Sequence, residues 1–161
     1  MPDVVDILTE DHREFEQLLS ALREPGRRQE LTPQLAALVS THNRAEQREV
    51  YPVAGVILDA HVARAIEYHQ RVHVLLARLL QCDPTSPAYP DLLDGLIGAM
   101  ADQVRQEESE LLPALRQYFD DERRNNLARA FLATRQEYLH HWYSGRQARR
   151  PSFAEPPPLI E

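Results

Sequence analysis

The stretch His42-Asn43-Arg44-Ala45-Glu46-Gln47-Arg48-Glu49-Val50-Tyr51-Pro52 sets a histidine and a glutamate four residues apart, with a proline six residues beyond the glutamate. A second stretch, Gln103-Val104-Arg105-Gln106-Glu107-Glu108-Ser109-Glu110-Leu111-Leu112-Pro113, repeats that spacing, and Glu49 and Glu110 match at the intermediate turn. At about 100° per residue, four steps bring a side chain back to within about 40° of its starting direction, one turn along. Residues 42 and 46 therefore share a helix face, as do 103 and 107, and His69-x-x-x-His73 does the same elsewhere. The two long stretches read as pseudo-symmetric partners facing one another across a helical bundle.

Outward from these motifs, apolar residues recur at helical spacing and strict strand-type alternation is absent, so the chain reads as all-α. A first helix is expected over about Asp3 to Arg23, with Val4, Ile7, Leu8, Phe15, Leu18, Leu19 and Leu22 on its apolar face, His12 in the same stripe, and Pro25-Gly26 as its stop. A second is expected to begin near Thr32-Pro33, where threonine caps and proline suits the first turn, and to run to Pro52, which kinks or interrupts it. A third runs from Asp59 or Ala60 to Gln81, before the loop Asp83-Pro84-Thr85-Ser86-Pro87. A fourth starts around Pro90-Asp91 and reaches Pro113 or Phe119. A fifth, about Glu122 to Tyr143, is expected to pack outside the four-helix core, and the ending PSFAEPPPLIE to be extended or disordered. The layout is a bundle over 1–145, with its metal-binding core at about 3–119 and extra helix at 122–143, then a tail over 146–161.

With 161 residues the chain is long enough for one core and short for two. A composition 43% hydrophobic and 27% charged places it among ordinary soluble globular proteins. The net charge is −7, all 18 basic residues are arginine, and the one basic cluster, Arg146, Arg149 and Arg150, reads as a solvated tail; nucleic acid is not an expected partner. The single cysteine, Cys82, permits no internal disulfide and no cysteine-based metal site. Acidic residues near Met1 and the absence of an apolar run of about 18 residues argue against a signal peptide and a membrane span. The expected location is the cytoplasm.

The chemistry lies in the polar residues on the apolar stripes. Burying several histidines and carboxylates is costly unless something compensates, and a cation is the usual compensation. Imidazole with carboxylate suits iron, manganese or zinc. Seven inward candidates, His12, His42, Glu46, His69, His73, Gln103 and Glu107, favour two metals over one, and bundles of this kind are known to hold di-iron sites.

Four motifs in order carry a family resemblance: Asp11-His12, His42-x3-Glu46 followed by Tyr51-Pro52, His69-x3-His73, and Glu107 before Leu112-Pro113. Over about residues 3–119 the chain resembles the haemerythrin-like (HHE cation-binding) family. The resemblance implies an up-and-down four-helix bundle and a centre of two iron ions, of the kind that can be oxo-bridged, handling dioxygen, peroxide, nitric oxide or redox sensing. It implies His12 and His42 on one iron, His69 and His73 on the other, and Glu46 and Glu107 bridging. Gln103 departs from the family, which usually has histidine there. Three outcomes stay open: the amide oxygen binds weakly, the position opens to water or substrate, or Glu110, Glu49 or Tyr51 replaces it.

Three functions are compatible with this reading. One is a di-iron protein that binds or reduces a small oxidant, with catalase-like peroxide removal as its enzymatic form. Another is a sensor or interaction protein whose packing follows the metal or its oxidation state. The third is a structural or storage bundle holding zinc or manganese. His61 reads as a core or rim residue, His140-His141-Trp142-Tyr143 as surface or packing, and Cys82 as an ordinary thiol. No helix seam decides between monomer and homodimer.

Overall fold

The computed structural model describes residues 1–146, with nothing described of the Arg146 side chain; the proline-rich tail beyond lies outside the described residues. Among the described residues there are helices and no strands: α1 (Val4–Ala21), α2 (Arg28–Ala45), α3 (Tyr51–Gln81), α4 (Tyr89–Gln106), α5 (Leu112–Tyr118) and α6 (Asp121–Arg146). Two π-helical turns, Glu46–Val50 and Glu107–Leu111, join α2 to α3 and α4 to α5. None of these helices is long and apolar enough to cross a membrane.

Helix α1 starts where Asp3 accepts the Val5 N–H at 2.8 Å, satisfying an otherwise orphaned donor. Its far end is closed by the chain that follows. The buried Arg28 guanidinium donates to Leu22 O at 3.0 Å and to Arg23 O at 3.4 Å, and lies 4.5 Å over the Tyr89 ring. That explains why α2 begins at Arg28, four residues ahead of the expected Thr32 cap. Thr32 is already inside the helix, its hydroxyl donating back to Arg28 O at 2.6 Å and meeting Tyr89 Oη at 2.7 Å, and Pro33 follows it within the helix.

Pro52 does not interrupt its helix. A proline lacks an N–H and its ring crowds the carbonyl four residues back; here a wider turn accommodates it, with the Tyr51 N–H reaching Glu46 O. The same solution recurs before Pro113, where the Leu112 N–H reaches Glu107 O. The chain reverses instead at Leu58, whose φ −117° and ψ 38° break the helix and fold α3 back on itself, so that Tyr51 stacks on His69. The third bundle helix thus leaves this corner at the expected Asp59.

The apolar core divides into two clusters. One gathers Val4, Leu8, Val50, Leu58, Leu111, Leu115 and Phe131; the other gathers Phe15, Leu22, Leu35, Leu76, Leu96 and Met100. Along the bundle the polar residues in question fall between these clusters: His12 on α1, His42 near the end of α2 with Glu46 opening the π turn after it, His69 on α3, and Gln103 near the end of α4 with Glu107 opening the second π turn. Each fully buried leucine contributes about 1.5–3 kcal/mol, whereas each buried ion costs several kcal/mol before compensation. The apolar clusters therefore hold the polar layer in place.

Helix α6 packs against α1, α2 and the first π turn. It is more than the outer layer expected of it, because Phe131 is fully buried in the first core cluster.

Candidate metal centre

The polar layer resolves into two groups of convergent ligand atoms: His12, His42 and Glu107 in one, and Glu46, His69 and Glu107 in the other, with the atoms of each group within 4.8 Å of one another. Glu107 belongs to both. Its Oε2 lies 2.8 Å from His12 Nε2 and its Oε1 lies 3.0 Å from His69 Nε2. Glu46 Oε2 stands between His42 and His69, 3.3 Å from the Nε2 of the first and 3.2 Å from the Nε2 of the second. All five side chains are essentially inaccessible to solvent.

Of these contacts only His69 Nε2 with Glu107 Oε1 is a hydrogen bond. His12 Nε2, His42 Nε2, Glu46 Oε1 and Glu107 Oε2 are buried polar atoms without a hydrogen-bond partner. Native interiors rarely leave such atoms unsatisfied, and each one calls for an explanation. Nitrogen lone pairs and carboxylate oxygens directed at a common volume are what cations require, so the donor set fits a metal pair held by imidazole and carboxylate.

Electrostatics within the layer are strongly coupled. Burial by itself lowers the His42 pKa, but the Glu46 and Asp11 carboxylates outweigh it and push it up to about 10. His12 and His69 are likewise raised against their burial, chiefly by Glu107, with Glu46 also raising His69. Burial raises the carboxyl of Glu107, yet His12 and His69 hold it well below the usual range; Glu46 is lowered by His42 and His69 against both burial and Glu107. A cation would take the place of these protons.

Residues 3–115 match the family model of the Hemerythrin HHE cation binding domain. The chain belongs to that family. An HHE-domain protein from Mycobacterium kansasii has the same fold, with a TM-score of 0.84 at 22% identity over 95% of this chain and 98% of that one. A curated relative from Nostoc sp., named a DNA nickase, is 26% identical over 137 residues, covering 83% of this chain. This chain spans 39% of that relative's length.

Relative to this HHE centre, the remaining sequence candidates take distinct places. His73 is half-buried one turn beyond His69 and belongs to neither ligand group. Gln103 is fully buried and paired with Asn43, its Nε2 donating to Asn43 Oδ1 at 3.0 Å and its Oε1 accepting from Asn43 Nδ2 at 3.5 Å. Tyr51 Oη lies 3.0 Å from His69 Nε2 and 3.3 Å from Glu46 Oε2, at the edge of the second group. Glu49 turns to α6 and accepts from Thr134 at 2.6 Å, while Glu110 sits near the surface with Arg64 and His61.

The outer ring of the centre was only partly foreseeable. Asp11 meets His42, and Glu108 meets His12; one adjoins His12 and the other Glu107 in sequence, which was the available signal. Phe131 and Arg135 come from α6, one turn apart, and nothing in their own segment points to a metal.

Proposed function

We propose that the two groups hold a pair of iron ions, and that the chain binds or reduces a small oxidant, dioxygen or peroxide, at that pair. The observation carrying this reading is Glu107, whose two oxygens face histidines of different groups, as a carboxylate shared by two metals would. Imidazole and carboxylate donors suit iron, with manganese or zinc as the other occupants compatible with them. When bound, the iron pair supplies electrons by cycling between ferrous and ferric states.

The chain's own residues supply the setting. His12, His42 and His69 present nitrogens, Glu46 and Glu107 present oxygens, and the apolar clusters on either side exclude bulk water. Burial and the two glutamates hold the Tyr51 phenol well above its ordinary pKa, so it stays neutral and able to donate a hydrogen bond beside His69.

A second reading, a redox-responsive interaction protein, draws support from α6. Phe131, Thr134 and Arg135 tie this outer helix to His42, Glu49 and Asp11, so a change in the centre has a route to a surface element. The cytoplasm is the setting proposed for either reading. The net charge of −7 weighs against carrying over the DNA-nicking activity in the Nostoc relative's name.

The test is metal content and absorption of aerobically purified protein from iron-supplemented cells, followed by steady-state peroxide consumption. Two irons per chain and a turnover lost in both His42→Ala and His69→Ala support the enzyme. Two irons without turnover, and a partner released or captured on reduction, support the sensor. Zinc, which has no redox chemistry, retained in preference to iron would overturn the redox reading.

A further inference from the structure

The two histidines of the first group are supported differently from the histidine of the second. His42 Nδ1 lies 2.7 Å from Asp11 Oδ2, and Asp11 is itself gripped through both oxygens by Arg135. His12 Nδ1 lies 2.9 Å from Glu108 Oε1, and Arg13 donates to both Glu108 oxygens at 2.5 Å. A carboxylate only accepts, so each Nδ1 carries the proton and, in the neutral ring, each Nε2 is left with its lone pair directed at the centre.

His69 has no such support. Its Nδ1 is buried without a hydrogen-bond partner, and its ring rests on Tyr51 at a centroid distance of 5.4 Å. The amide that occupies the family's usual histidine position beside it, Gln103, is engaged by Asn43. A carboxylate behind a ligand imidazole fixes its tautomer and orientation and raises its basicity, and removing such a partner typically weakens metal binding by about 10–100-fold.

Resting on the metal-pair reading, we infer that Asp11 and Glu108, clamped by Arg135 and Arg13, are positioning residues that make the centre unequal: the His12–His42 position fills first and tightly, and the His69 position is the exchangeable one. The asymmetry is thus set from behind the ligands by two carboxylate–arginine couples, one joining α1 to α6 and the other joining α1 to the second π turn.

The experiment is an anaerobic titration of the metal-free full chain with Co²⁺, following ligand-field absorption and metal retained after dialysis. Wild type is expected to bind in two steps. Asp11→Ala and Glu108→Ala weaken the first step by about 10–100-fold, Asp11→Asn weakens it less because its amide oxygen still accepts from Nδ1, and His69→Ala removes only the second. Circular dichroism of each metal-free variant separates lost binding from lost folding, and Asp11→Asn serves where Asp11→Ala does not fold. Two indistinguishable steps in wild type, or equal weakening of both steps in the carboxylate variants, would overturn this inference and leave the metal pair standing. A wild-type chain that binds no cobalt would overturn both.

Discussion

Phe131 meets His42 edge-on, with ring centroids 5.4 Å apart and planes at 80°. The helix that sequence reasoning set outside the bundle therefore walls the centre, and its aromatic side chain is fully buried. Truncating it removes both core packing and the surface against which the imidazole rests. Phe131→Ala is expected to cost about 3–5 kcal/mol in denaturant unfolding of the metal-free chain, and Phe131→Leu distinctly less. A cost under 1 kcal/mol would mean that α6 is not held where it is described.

Glu107 and His69 differ in how many groups they serve. Because Glu107 belongs to both groups and His69 to one, Glu107→Ala should reduce bound metal from two per chain toward none, and His69→Ala from two to one. Elemental analysis of purified variants reads this directly; equal losses in the two would argue against a shared carboxylate.

The pH dependence follows from the signs of the shifts. His42 is raised to about 10 by Glu46 and Asp11 against burial, and His12 and His69 are raised too; their contribution to stability is complete below the unfolded value of 6.5 and is lost as pH rises toward 10. Glu107 and Glu46 are lowered, so theirs is present above the unfolded 4.5 and fades as pH falls. The metal-free chain should thus have its highest Tm between about pH 4.5 and 6.5. Metal needs the same histidines unprotonated at Nε2, so its affinity rises over pH 6.5 to 10. Thermal melting with and without metal should show the gap in Tm widening with pH; a gap constant from pH 6 to 9 would contradict the proton–metal competition.

Gln103 and Asn43 satisfy each other in the interior. Gln103→Ala should leave the Asn43 amide unpartnered and destabilise the chain by about 1–3 kcal/mol, while leaving the metal count unchanged. A fall in bound metal would instead make the amide oxygen a ligand.

Much of this was legible beforehand, for a physical reason: helical periodicity is local, and so is the spacing that sets His42 with Glu46 and Gln103 with Glu107 on common faces. The bundle and the placing of His12, His42, Glu46, His69 and Glu107 in one buried layer follow from it. Tertiary choices were not legible. The start of α2 at Arg28 depends on a guanidinium folding back onto α1, and the wall built by Phe131 depends on where α6 docks. Pro52 misled because proline in a helix is read as a break, whereas burial at every fourth position, through His42, Glu46, Val50, Ala54 and Leu58, already signals a turn wider than 3.6 residues. Gln103, Glu107, Leu111, Leu115 and Phe119 repeat the signal.

Each π turn works as a phase correction, carrying one surplus residue that keeps upstream and downstream stripes on the same side of the bundle. Removing any one residue from 47–50 would let the segment relax into an ordinary helix, with His42 and Glu46 undisturbed. Everything after it, up to the corner at Leu58, would then keep its direction, because an ordinary helix one residue shorter reaches the same phase, and Tyr51 would stay at His69. What this short segment has to preserve is the direction of the stripe that leaves it more than the number of its residues.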